Sequence, residues 1–205
     1  MPAKTKEVPK KGDVTRLTIE KAAYELFMEQ GYHATSMRQI SERAKLALGG
    51  IYNHFSNKEE IFKAIIIDRH PYKRILPLIL AAEGDTAEEF IHNSAQALVS
   101  ELGKQPDFLK LMFIEIVEFD AQHVNLFMDE IVPQILPVFE KVAKVRKNLR
   151  NLHPVILLRS FLGMFFSYYI MELLLKGSAV AMLLPKNSFE QIVDIYLHGV
   201  IKESK

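Results

Sequence analysis

The stretch YHATSMRQISERAKLALGGIYNHFSNKEE, residues 32–60, carries the densest pattern in the chain. Ile40, Ala44, Ile51 and Phe55 recur at helical spacings and read as core. The break at 45–47 interrupts that period, so the segment reads as a helix, a sharp turn and a very short helix. In a helix-turn-helix the second helix lies in the DNA major groove while the first crosses the backbone. Leu48-Gly49-Gly50 suits that second helix, because two glycines remove the bulk that would hold a backbone away from base edges. Glycines also cost a helix stability, so a purely structural account of the pair is awkward. Tyr52 and Phe55 lie three positions apart: Phe55 plugs the core, and Tyr52 can extend its hydroxyl to a phosphate. Asn53 is the best direct reader, since its amide can pair bidentately with adenine. With no other long polar side chain on this helix, the remaining specificity falls to DNA shape and thymine methyl contacts.

Outward from this segment the apolar residues keep the three- and four-residue interval of helices, and nothing reads as strand. Residues 13–30 form a first helix with Leu17, Ala22, Ala23, Leu26 and Phe27 on one face and Gly31 as its stop. Thr35 caps the next helix. Ser56-Asn57-Lys58-Glu59 reads as a capping box for a helix to about Arg69, which Pro71 and Pro77 kink or segment. Thr86-Ala87-Glu88-Glu89 and Ser188-Phe189-Glu190-Gln191 read as two further boxes, for helices to about Gly103 and Lys202. Pro106-Asp107 opens a helix to about Phe119, a helix interrupted by Pro133 and Pro137 spans 122–147, and His153-Pro154 opens a long apolar helix ending at Gly177. The fold class is all-α with about nine helices. Residues 1–12 read as a disordered basic tail, 13–60 as a three-helix head, and 61–205 as a larger helical body.

The 205 residues are 49% hydrophobic and 25% charged, a folded globular composition. The absence of cysteine excludes a disulfide scaffold, a Cys-ligated zinc site, an iron–sulfur cluster and thiol catalysis. A polar, Lys-rich start without a secretory signal points to the cytoplasm. Residues 1–58 hold ten Lys/Arg against six Asp/Glu, a net +4, which leaves −3 for the remainder of a chain whose total is +1. A basic head on an acidic body suits contact with a polyanion at one end. Lys4, Lys6, Lys10 and Lys11 either reach a minor groove or simply solvate the tail. Residues 155–175 are nearly long enough to span a bilayer, but Arg159 and Glu172 place a charge near each end, so no membrane is expected and the helix is read as buried inside the protein or at a subunit interface.

The ordered set Gly31-Tyr-x-x-Thr-Ser-Met-Arg-x-Ile, Ala44, then Gly49-x-Ile-Tyr52-x-His-Phe55-x-x-Lys58-Glu59, resembles the signature of the tetracycline-repressor (TetR) family of transcriptional regulators. The resemblance covers 13–60; the rest matches in architecture alone. It implies that Thr35 and Arg38 meet the phosphate backbone, and that Lys45 sits where the turn faces DNA. By the same likeness Leu48, Gly49, Gly50 and Asn53 face bases, while Tyr52, His54 and Lys58 contact phosphates. Ala47 departs from the pattern: it stands where a Ser or Thr cap is usual, a loss of about 1 kcal/mol of local helix stability.

The resemblance further implies a cytoplasmic homodimer, without cofactor, metal or enzymatic activity. Its two heads would fit successive major grooves of a palindromic operator, about 34–36 Å apart. A small apolar or amphipathic effector bound in the helical body would release it from DNA, which makes it a repressor. Residues 154–176 and 188–202 would build the dimer interface, through Arg159, Phe161, Leu162, Phe165, Tyr168, Glu172, Ile192, Ile195 and Tyr196. The effector pocket would draw on Met112, Phe113, Ile116, Phe119, Phe127, Phe166 and Tyr169, with His92, Gln96, Glu115 and His123 as polar candidates. Each of these suits an ordinary core as well.

One alternative lies in another class. Glu89/His92 and Asp120/His123 each place a carboxylate and an imidazole one helical turn apart, the raw material of a helical-bundle metal-binding protein or oxidase. That design wants Glu in both motifs, and Asp120 falls near a helix junction. No Gly-x-Ser-x-Gly, Walker or dinucleotide motif points to other chemistry.

Overall fold

The computed structural model describes residues 11–84, 86–145 and 150–201. Among them ten α-helices and no β-strand occur: α1 (Lys11–Gln30), α2 (Met37–Ala44), α3 (Leu48–Tyr52), α4 (Lys58–Arg69), α5 (Tyr72–Ala81), α6 (Ala87–Gly103), α7 (Asp107–Phe119), α8 (Asn125–Val145), α9 (Pro154–Leu175) and α10 (Ser188–Val200). The all-α class expected from the periodicity is therefore the observed one. The basic tail, with Lys4, Lys6 and Lys10, lies outside the described residues, as do the side chains of Lys11 and Phe127.

Local chemistry explains the boundaries. Gly31 closes α1 at φ +87°, a conformation that disfavours any Cβ. The cap of α2 is Ser36 rather than Thr35: Ser36 Oγ accepts from the Gln39 amide, and Gln39 Oε1 accepts from the Ser36 N–H. Likewise α4 is capped by Asn57, whose Oδ1 accepts from Glu60 N–H, instead of by Ser56. Pro71 divides the helix after Arg69 into α4 and α5, which accounts for one more helix than expected. Ser188 lies inside α10, whose N-cap Asn187 accepts from the Gln191 side chain and from no backbone N–H of the helix, so no third box forms. Thr86 does cap α6, accepting from Glu89 N–H at 3.1 Å.

The helices cluster into two units. The first holds the described residues up to His70 together with Asp107–Phe127, and is thus wider than the 13–60 segment read as the head. Its core is Ile19, Ala23, Phe27, Ile40, Ile51, Phe55, Ile61, Phe62, Ile65 and Ile66. Phe62 stacks on Phe119 at 5.0 Å, and Tyr32 meets both rings edge-on. Two polar ties add to this apolar contact. Tyr24 Oη donates to Asp107 Oδ2 at 2.8 Å, and His33 Nε2 lies 2.8 Å from Glu118 Oε2.

The second unit holds the described residues of 71–106 and 128–201. Leu157, Phe161, Phe165 and Tyr169 form the buried stripe of α9, which packs on α6 and α10. Phe161, Phe165 and Tyr196, expected at a dimer face, are instead interior to their own chain, and Tyr196 Oη donates to Leu157 O at 2.9 Å. The opposite face of α9 is bare: Val155, Ile156, Leu162, Met171, Leu173 and Leu174 are exposed, so within one chain the helix is not buried all round. By length and composition α9 is the one described helix able to cross a membrane. Lys141 Nζ donates to the carbonyls of Leu80 and Ala82, satisfying the C-terminal end of α5. The Glu101 carboxyl is held below the usual range, chiefly by the hydrogen bond from Lys104 and further by Arg74.

Two consequences are measurable. Phe62→Ala leaves a cavity at the centre of the first unit and is expected to cost about 3–5 kcal/mol, whereas Ser36→Ala costs about 1 kcal/mol; urea unfolding followed by far-UV circular dichroism checks both. The phenols of Tyr24 and Tyr32 are each pushed up to about 12, mainly by burial. Since an unfolded phenol ionises near 10, the folded state keeps protons the unfolded chain has lost. Stability should therefore fall as pH rises from about 10 towards 12. Burial also pushes up the Tyr196 phenol, so absorbance at 295 nm should show Tyr24, Tyr32 and Tyr196 among the late-ionising of the seven tyrosines.

Candidate nucleic-acid interface

The short helix α3 is positioned entirely by its neighbours. Arg43, on α2, grips both oxygens of Glu29 on α1, at 2.9 and 2.7 Å. Lys45 ends α2 in the left-handed region at φ +56°, its N–H donating to Glu42 O. That bend turns the chain into α3, whose N-cap Ala47 makes no side-chain bond, as its side chain dictates. Ile51 and Phe55 then bury one side of the helix in the core.

The other side faces outward. Leu48 is 39% and Tyr52 51% exposed, and Gly49 and Asn53 share their face. A Cβ added at Gly49 or Gly50 would meet nothing within 4 Å, and neither residue has a positive φ. The protein's own packing therefore does not require these glycines. What they provide is a bare strip of backbone flanked by an apolar side chain and an amide. Arg38 and Lys45 stand exposed beside it, with Arg38 Nε 3.1 Å from Glu42 Oε1, and His54 is half-buried.

Two of the residues expected to touch a ligand are occupied within the head. Thr35 is buried, its Oγ1 donating to Gly31 O at 2.8 Å. Lys58 Nζ donates to Tyr32 O at 2.6 Å and Thr35 O at 2.7 Å, and lies 4.1 Å from the centre of the Tyr32 ring. Burial pushes the Lys58 ammonium down from its usual range, opposed by Glu118. Sequence reasoning passed over Ser36, although Gln39 three residues on was the available signal. It also passed over Arg16, whose guanidinium lies 4.2 Å from the Phe55 ring centre at the end of α3; no sequence pattern marks it.

Residues 19–65 match the family model for bacterial regulatory proteins of the tetR family. Residues 19–65 are a tetR-family segment. The match spans α1 to α4, the elements that place the strip of α3. An uncharacterized HTH-type transcriptional regulator of Bacillus subtilis, YvkB, is 24% identical over 91% of this chain and 97% of its own. The Escherichia coli K12 regulator UidR is 42% identical over 53 residues, which cover 26% of this chain and 27% of that one. In fold the chain is similar to Salmonella enterica GusR, with a TM-score of 0.69 and 20% identity over 92% of this chain and 96% of that one. It is similar also to Pseudomonas aeruginosa NalD, with a TM-score of 0.65 and 22% identity over 94% and 100%. The chain is a DNA-binding transcriptional regulator.

The residues expected to line an effector pocket are divided between the two units. Met112, Phe113, Glu115, Ile116, Phe119 and His123 belong to the first, where Glu115 pairs with His123, Phe119 packs on Phe62, and Phe113 and Ile116 are exposed. His92, Gln96, Phe166 and Tyr169 belong to the second; His92 faces Glu190 at 3.8 Å and Gln96 is exposed. The metal-site alternative is not assembled either. His123 turns to Glu115 and Glu59 instead of Asp120, and no group of three His, Asp or Glu among the described residues could hold a metal ion.

The strip and the occupied lysine make separable predictions. Gly49→Ala and Gly50→Ala should leave stability unchanged or raise it by up to about 1 kcal/mol, while weakening binding to DNA. Lys45→Ala should flatten the dependence of log affinity on log salt by about one unit. Lys58→Ala should leave that slope and lower the stability of the head by about 1–2 kcal/mol.

Proposed function

We propose that the protein is a cytoplasmic homodimeric repressor that binds a palindromic operator through residues 35–58 and leaves it when a small organic effector occupies the helical body. The observation that carries this reading is the outer face of α3. Its two glycines have no packing role, and a strip without side chains is useful where another molecule must come close. Leu48 can meet a thymine methyl and Asn53 an adenine edge. Tyr52, Arg38, Lys45 and His54, with the cap of α2 at Ser36, surround the strip with phosphate partners. Thr35 and Lys58 act through the positions of these residues.

Dimerisation follows from the bare face of α9. An exposed row of aliphatic side chains beside Arg159 and Glu172, with Ile195 exposed on α10, is costly in water and suits a second copy of the same helices. Tyr168 on α9 and Ile192 on α10 are both half-buried. The repressor sense is supported by the fold likeness to NalD, described as the secondary repressor of the MexAB-OprM multidrug efflux pump. For the effector, the interior of the second unit offers Phe90, Leu98 and Phe165 around α6 and α9, and the Ser94 hydroxyl on α6, 2% exposed, has no hydrogen-bond partner. An apolar molecule with one polar group would satisfy it. Release is a population shift, and needs an effector that binds the two body conformations with different affinity.

Selection of bound sequences from a random duplex pool tests the reading. A palindrome with two half-sites on one face of the helix is expected; no enrichment by protein refolded free of ligand would count against it. Sedimentation equilibrium should give twice the 23.5 kDa chain mass, and Leu162→Asp or Ile195→Asp should halve it.

A further inference from the structure

His123 sits in the turn after α7 with a carboxylate at each ring nitrogen. Nδ1 is 2.8 Å from Glu115 Oε2, and Nε2 is 3.4 Å from Glu59 Oε1. The His123 backbone N–H also donates to the other Glu115 oxygen, at 2.7 Å. The ring is 5% exposed and Glu115 is fully buried, with Phe119 and Phe62 edge-on and tilted against the imidazole at 4.7 and 6.2 Å. The imidazole cannot turn to water, so the ring keeps this orientation in either protonation state.

We propose that Glu59, His123 and Glu115 form a proton-operated latch, which fixes the start of α4 against the turn after α7 and so sets how tightly the head reads DNA. A doubly protonated ring donates to both carboxylates; a neutral ring has one N–H. The shorter, fully buried bond to Glu115 keeps that hydrogen on Nδ1. The lone pair of Nε2 then faces the Glu59 carboxylate, and Glu59, half in water, swings away. The contact between α4 and the turn therefore belongs to the protonated state.

The other charged groups around the site do not cancel this. Glu118 is engaged with His33, which is mostly in water. The Tyr32 phenol, pushed up to about 12 by burial with Glu59 and Glu118 adding, stays neutral below pH 8. Lys58 donates to backbone carbonyls, and Asp120, on the turn itself, is exposed. Glu59 is the second residue of α4, four positions after Phe55, the residue that anchors the end of α3. Holding Glu59 orders this connection before DNA arrives, and a pre-ordered head loses less freedom on binding. The latch needs the ring's second proton, so DNA affinity should rise as pH falls from 8 to 6.

The proposal rests on the head being a DNA reader, and the test separates the two. Fluorescence anisotropy with a selected duplex, at fixed ionic strength, compares the full-length protein with Glu59→Gln. Gln bonds either ring form through its oxygen or its amide, and so removes the proton dependence. The wild type is expected to gain about three- to tenfold more affinity than E59Q between pH 8 and pH 6. In urea unfolding, which needs no DNA, E59Q should be less stable than wild type at pH 6 and equal to it or more stable at pH 8. An identical pH response of the two proteins in anisotropy overturns the control of DNA affinity. An identical gap in unfolding at both pH values overturns the latch. A protein that binds no duplex at either pH overturns the DNA reading, while the unfolding experiment still decides the latch.

Discussion

The carbonyls of Tyr32 and Thr35 lie in the turn between α1 and α2, beyond the reach of helical N–H donors, and the ammonium of Lys58 supplies both with a hydrogen bond. These residues are 26 and 23 positions apart in sequence, so one side chain closes a loop that contains all of α2 and α3. A helix of five residues has no stability of its own. Its position is borrowed from α1 through Ile51 and Phe55, from α2 through the Lys45 bend, and from α4 through this closure. The Lys58 charge thus serves DNA recognition from inside: it fixes the frame on which Leu48, Gly49, Tyr52 and Asn53 are presented.

The same frame shows why the first unit takes in α7. Tyr24 holds the start of that helix through Asp107, His33 holds its end through Glu118, and Phe119 enters the ring cluster of Phe62 and Tyr32. A helix bonded in this way to α1, to the α1–α2 turn and to α4 belongs mechanically to the part that reads DNA. Whatever displaces α7 must strain those contacts, and His123 makes one of them depend on a proton.

The head was largely legible from residues 32–60, because short-range signals govern it: helical period, the Gly31 stop, the break at 45–47 and the bare glycines. Errors of a single residue arose where two capping residues stand side by side, as at Thr35/Ser36 and Ser56/Asn57, since both types can cap and only the backbone conformation chooses. The role of Lys58 was hidden, because a lysine near DNA-facing residues looks like a phosphate ligand until the carbonyls it meets are located. In the body, α9 is apolar around most of its circumference, so periodicity could not separate Phe161 and Phe165 from Leu162. Tertiary packing on α6 and α10 made that choice. The alliance of α7 with the head depends on pairs more than 80 residues apart, such as Tyr24 with Asp107, and no local pattern announces such pairs.

The central claim is a division of labour in which the outer strip of α3 touches DNA and Lys58 stays within the protein. A crystal structure of the protein bound to a duplex that it selects would test it most directly. The account predicts Leu48, Gly49, Gly50 and Asn53 against base edges in the major groove, with Lys58 Nζ still on the carbonyls of Tyr32 and Thr35. A complex in which Lys58 has left those carbonyls for a phosphate, or in which α3 lies outside the groove, would contradict it.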